Sequence, residues 1–80
     1  MNYFYVLISE KDGGYYYGST NDLVRRFQQH TTGKVASTAY RLPLRLVYYE
    51  AYESLERARI RERQVKSSGS IRTSIIKRLQ

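Results

Sequence analysis

Eighty residues bound this chain to one domain, residues 1–80, and a net charge of +7 with a sequence pI near 9.9 marks its surface as basic. A chain this short buries only about 60–65% of its unfolded surface, which leaves no room for separate binding and catalytic modules. Cysteine is absent, and no apolar run approaches a membrane span, so a disulfide framework, a thiolate metal site and a membrane-spanning helix are excluded as readings.

The first predicted elements are a strand from Tyr3 to Ser9 and its hairpin partner from Gly14 to Thr20. If Asp12-Gly13 forms a two-residue loop, Lys11 sits opposite Gly14, Ser9 opposite Tyr16 and Tyr5 opposite Thr20. Side chains alternate with period two, so Tyr5, Leu7 and Ser9 share a sheet face with Tyr16 and Gly18. Two phenols converge there, with Gly18 expected to leave open space between them.

A helix follows from about Asn21, capped by Thr20 or Asn21, with Asp22 in its first turn. Leu23, Arg26, Phe27 and His30 fall on one helical face, and Gly33 suits the residue just past the C-terminus. Arg26 and His30 are four apart and lie together. Each also has an ordinary explanation: Arg26 as a surface arginine like Arg25, His30 as a helix-terminal cap.

Residues 34–43 are irregular and hold the single proline. Leu44 to Tyr52 reads as a third strand, with Leu44, Leu46, Tyr48 and Glu50 on one face and Arg45, Val47, Tyr49 and Ala51 on the other. Ser54 caps a second helix running to about Lys66, Ser67-Ser68-Gly69-Ser70 breaks it, and Ile71, Ile75 and Leu79 mark a last short helix. The order β-β-α-β-α-α predicts an α+β domain, a three-stranded antiparallel sheet flanked by helices.

The second helix carries an apolar stripe of Leu55, Ala58 and Val65, and Glu62 falls on it. A carboxylate facing inward costs several kcal/mol unless it is paired or binds a cation. Its partner is therefore either one of Arg57, Arg59, Arg61 and Arg63 or a hard divalent cation such as Mg²⁺, which takes one or two carboxylates and keeps several waters. Tyr3, Tyr15, Tyr17, Tyr48, Tyr49 and Tyr52 are expected to be sheet and core residues, or to offer stacking surface.

Ten of the fourteen cationic residues are arginine, and eight lie between Arg57 and Arg78. That pattern points to a polyanionic partner, since the guanidinium fork matches phosphate oxygens. Phosphate contacts to such a partner are expected from Arg25, Lys34, Arg59, Arg63 and Lys66, beside Gly18. The start of the chain shows no charged n-region or cleavage site, so a reducing, cytoplasmic location is expected.

Taken together these residues resemble the GIY-YIG nuclease domain, specifically its small stand-alone bacterial members. Tyr3-Phe4-Tyr5 stands where Gly-Ile-Tyr would, and Tyr16-Tyr17-Gly18 resembles the second motif. Eleven positions separate Tyr5 from Tyr16, Arg26 follows by ten, and His30 stands one turn on. The segment Ala58 to Lys66 is similar to the family helix bearing the metal-binding glutamate, and the loop Thr32-Gly33-Lys34 with Thr38 and the strand Arg45 to Tyr48 also fit. The glycine of the first motif is replaced by Tyr3, no asparagine follows Glu62, and no tryptophan stands near Ser67-Ser68-Gly69.

The resemblance implies a metal-dependent DNA endonuclease, structure-selective and linked to repair or recombination. In it Glu62 would hold a single Mg²⁺ or Mn²⁺ and Arg26 would neutralise transition-state charge. Tyr5 or Tyr16 would orient or deprotonate water, His30 would help move the proton, and Gly18 would keep the face open for the phosphodiester. Two other readings compete with it: a non-catalytic basic nucleic-acid binder, and an adaptor that delivers the domain to a repair complex.

Overall fold

A computed structural model describes all of residues 1–80, and in it three strands and three α-helices follow the predicted order. Strands β1 (Asn2–Ser9), β2 (Tyr15–Thr20) and β3 (Leu44–Tyr52) form one antiparallel sheet in the order β2-β1-β3. Helix α1 (Leu23–Thr31) covers one face; α2 (Leu55–Ser67) and α3 (Gly69–Arg78) cover the other. No helix is long and apolar enough to cross a membrane.

Central β1 supplies both cores by alternation. Phe4 and Val6 pack with Val65 of α2 and Ile75 of α3, while Tyr5 and Leu7 pack with Leu44 and, on the α1 side, Leu23 and Phe27. Fully burying each such side chain contributes about 1.5–3 kcal/mol, so a sheet with two covered faces compensates for the short chain.

The hairpin register differs from the expected one by two residues. Ser9, not Lys11, closes the loop: its N–H donates to Gly14 O at 2.9 Å, and Gly13 N–H donates to Ser9 O at 2.8 Å. Local side-chain bonds favour this longer loop, because Ser9 Oγ accepts from Lys11 and Asp12 N–H at 3.2 Å and Asp12 Oδ1 from Gly14 N–H at 2.7 Å. Gly13 takes φ +73, where glycine carries no steric penalty. Tyr5 therefore pairs with Gly18 and Leu7 with Tyr16. A shift of two keeps every side chain on its expected face.

Helix α1 begins two residues later than predicted. Thr20 Oγ1 accepts from Asp22 N–H at 3.1 Å, and Asp22 is itself the cap, its Oδ1 accepting from Arg25 N–H at 3.1 Å. The other caps follow the sequence: Ser54 opens α2, Gly33 follows α1 at φ +77, and Ser68 both ends α2 and caps α3. Arg72 reaches back to donate to the carbonyls of Val65 and Lys66 at 2.9 and 2.6 Å, satisfying the open end of α2.

The single-face assignment of Leu44, Leu46, Tyr48 and Glu50 does not hold. The β1–β3 register breaks between Val6 and Leu7, which pair with Tyr48 and Leu46, leaving Val47 as an extra residue. Leu44 and Leu46 consequently face α1, whereas Val47, Tyr48 and Tyr52 pack on the α2–α3 side. Glu50 joins the latter group and is held by Tyr48, Tyr52 and Arg61.

Candidate active site

The period-two alternation of β1 and β2 sets Tyr5, Tyr16 and Gly18 on the α1 face, and the Arg26/His30 spacing brings both helix residues over it. Tyr5 and Tyr16 rings are 6.4 Å apart, and His30 stands edge-on to both, at 5.7 and 5.0 Å. The Tyr5 hydroxyl and His30 Nε2 are 2.8 Å apart, while His30 Nδ1 lies 2.8 Å from Thr38 Oγ1. His30 and Thr38 are fully buried and Tyr5 is 1% exposed. His30 is thus no helix cap; it is the hub between a strand, a helix and the 34–43 segment.

Gly18 does not leave an open floor. A Cβ there would stand 2.5 Å from Tyr5 Cζ and Oη, so glycine is needed because the Tyr5 ring lies directly on it. Gly18 is buried and offers no surface to a phosphodiester. The opening expected over it is filled by the phenol.

Burial shapes the charge states of the cluster. It pushes Tyr5 up to about 12, opposed by the Arg26 guanidinium and reinforced by Tyr16 and Glu62. Burial, and then the charge of Arg26, pushes His30 down to about 4, so the imidazole is neutral at physiological pH. The folded pKa of His30 is below its ordinary value of about 6.5, so between those limits the unfolded chain takes up a proton that the folded chain refuses. The stability it contributes is complete above about pH 6.5 and drains as pH falls towards 4, by roughly 3 kcal/mol. Thermal melts across that window should show Tm falling steadily, with a flatter profile in His30→Gln; a wild-type Tm that ignores pH there would refute the burial argument.

Arg26 is half-buried, donates to Gln29 Oε1 at 3.1 Å and stands beside the Tyr5 phenol. Arg25, Lys34, Arg59 and Arg63 are exposed, the first two lining one open cleft with Gln28, Gln29 and Thr32. Arg59, Arg63 and Lys66 lie along one side of α2 around Glu62.

Glu62 reaches the cluster from the opposite sheet face, around β2, which is an edge strand. Its Oε1 accepts from Ser19 Oγ at 2.5 Å and its Oε2 from Lys66 Nζ at 2.6 Å. Ser19 is the chain neighbour of Gly18 and points the other way, so a single strand separates the carboxylate from the Tyr5 ring. Of the two partners that the sequence left open, no arginine takes Glu62: Arg61 bonds Glu50 instead, at 2.9 and 3.1 Å. The carboxylate is 21% exposed, at the edge of the α2 stripe rather than within it.

No three His, Cys, Asp or Glu side chains gather anywhere in the chain. Glu62 alone fits a hard cation completed by waters and substrate oxygens, and the Lys66 ammonium already stands at this carboxylate as a cationic stand-in. Sequence reasoning gave no role to Ser19 or Gln29 and met Thr38 only as part of a loop. Small hydroxyl and amide side chains carry no period or charge signal, so only the folded arrangement identifies them.

The GIY-YIG catalytic domain model matches residues 1–70. A UPF0213 protein of Lacticaseibacillus paracasei is 49% identical over 51 residues, 62% of this chain and 56% of the relative. A UPF0213 protein of Streptococcus pneumoniae is 46% identical over 57 residues, covering 70% and 57%. The chain spans little more than half the length of these relatives. UPF0213 protein BH0048 of Halalkalibacterium halodurans is 42% identical over 67 residues, 82% of this chain and 71% of that one. The solution NMR structure of UPF0213 protein BH0048 from Bacillus halodurans superimposes with a TM-score of 0.58 at 38% identity, covering 100% of this chain and 86% of that one.

Proposed function

The chain belongs to the GIY-YIG catalytic domain family, and from that premise we propose that it is a divalent-metal-dependent endonuclease hydrolysing DNA phosphodiesters. The observation that carries the proposal is the meeting of Tyr5, Tyr16, Arg26 and His30 on one face, with Glu62 coupled to Tyr5 around the β2 edge. Glu62 would hold the ion, which supplies Lewis-acid polarisation of the scissile phosphate.

The remaining work falls to side chains. Arg26 compensates the charge that grows on the phosphate oxygens in the transition state. Tyr16, half-buried and the more open of the two phenols, orients the attacking water. Tyr5 takes the water proton as its own passes to His30 Nε2, 2.8 Å away, so no free phenolate has to form in bulk solvent. The Arg26 cation favours negative charge on the Tyr5 oxygen.

Arg25, Lys34, Arg59, Arg63 and Lys66 bind the phosphate backbone, a mode that positions a duplex without reading its sequence. The preference is accordingly for a branched, nicked or damaged shape of the kind met in repair and recombination. Purified protein should nick supercoiled plasmid and cut fork or flap DNA with Mg²⁺ or Mn²⁺ but not with EDTA, and its DNA affinity should fall steeply as salt rises. Salt-sensitive binding with no cleavage of any of these substrates would sink the nuclease proposal and favour a non-catalytic basic binder.

A further inference from the structure

We infer that Thr38 is a positioning residue that locks His30 in its Nδ1-protonated tautomer, committing Nε2 to accept the proton of Tyr5. Its catalytic consequence rests on the proposed nuclease activity; the tautomer itself does not. Neutral imidazole has one N–H and one lone pair, so the bonds at its two nitrogens cannot be chosen independently.

Three neighbouring groups fix the choice. Tyr5 is 1% exposed, and its hydroxyl has His30 Nε2 as its only acceptor, since the Arg26 guanidinium beside it can only donate. Were Nε2 protonated, the phenol would accept and its own buried proton would have no acceptor, the costly case of a donor left unsatisfied. Tyr5 must therefore donate to Nε2, which places the imidazole proton on Nδ1. That proton points at Thr38 Oγ1, 2.8 Å away, and Thr38 then sends its own hydroxyl proton to Val35 O at 3.4 Å.

The result is a one-way series: Tyr5 O–H to Nε2, Nδ1–H to Thr38, Thr38 O–H to a backbone carbonyl. Reversing the series would turn Thr38 O–H to Nδ1 and Nε2–H to the Tyr5 oxygen, and leave the phenol proton with no acceptor. The other groups facing the ring are Tyr16 edge-on and the Arg26 charge, and neither meets Nδ1. Thr38 is buried, and its backbone N–H is tied to Val35 O at 3.1 Å, so its hydroxyl cannot drift out of register.

Nitrogen-15 NMR of the histidine ring tests this directly in the wild-type protein, since protonated and lone-pair nitrogens resonate far apart. The expected result is a protonated Nδ1 and a lone-pair Nε2; the opposite assignment overturns the inference, whether or not the protein cleaves DNA. Thr38→Val, near-isosteric but without the acceptor, should shift the ring towards the Nε2-protonated form or a mixture, and Thr38→Ser should restore the wild-type spectrum. An unchanged spectrum in Thr38→Val also overturns it. If that variant fails to fold, the wild-type spectrum and the serine variant still decide. With cleavage established, Thr38→Val should lower kcat by at least about 10-fold at neutral pH with KM for DNA little changed, part of the about 10²–10⁴-fold that a positioned proton acceptor contributes, and Thr38→Ser should recover most of it.

Discussion

Glu62→Gln is expected to abolish metal-dependent DNA cleavage, with a loss of about 10³-fold or more, while leaving the fold and DNA affinity in place. Glutamine keeps the shape of the side chain and can still accept from Ser19, so the α2–β2 junction survives. What disappears is the one negative charge that the site offers a divalent ion. The ion pair with Lys66 is half-exposed, and its loss should cost less than about 1 kcal/mol of stability. Removing an anion from a surface that meets phosphates should, if anything, tighten binding. Plasmid nicking with Mg²⁺ or Mn²⁺ and gel-shift titration at one salt concentration separate the two effects. Cleavage within about threefold of wild type would remove Glu62 from the chemistry and restore the reading of an ordinary helix ion pair.

Arg26→Ala should lower turnover by about 10²–10³-fold, the usual loss when a preorganised stabiliser of transition-state charge is deleted. Stability should change by no more than about 0.5 kcal/mol, because the guanidinium is half-buried and its hydrogen bond is to Gln29 on the same helix. Arg26→Lys should recover little of the rate, since a point charge cannot reproduce the planar fork. A second consequence belongs to the same residue: removing its cation should raise the pKa of His30, which Arg26 now depresses. NMR titration of the imidazole reads that shift without reference to cleavage. Loss of folding in Arg26→Ala would return the arginine to a structural role.

The alternation of β1 and β2, the four-residue step from Arg26 to His30 and the serine caps were legible because each is a local, periodic rule. The faces of Tyr5, Tyr16 and Gly18 were right even though the hairpin register was not, since an error of two residues is invisible to a period of two. The loop itself was misread because the bonds from Ser9 and Asp12 to nearby amides compete with the shorter Asp-Gly turn. Glu62 stood out as a charge on an apolar stripe, but its real neighbours come from β2 and from its own helix, not from the arginines that crowd the sequence. The open floor assumed at Gly18 failed for a related reason: a missing side chain does not say what fills the space. Thr38 needed long-range closure of the 34–43 segment onto α1, which no spacing in one chain reveals.

The extra residue in β3 makes strand length a determinant of side-chain destination. Deleting Val47 would remove the bulge yet leave Leu46 and Tyr48 as neighbours on opposite faces, so each flank would keep its layer. A strand of the same length paired without the bulge would instead set them on one face: Leu44 and Leu46 could stay under α1 only if Tyr48, Glu50 and Tyr52 left the α2 side, which would strip Arg61 of its carboxylate and slacken the helix that carries Glu62. Deletion of Val47 should therefore be tolerated far better than deletion of Tyr49 or Ala51, and chimeras built from an unbulged β3 of the same length should fail to present the acidic residue even where they still fold.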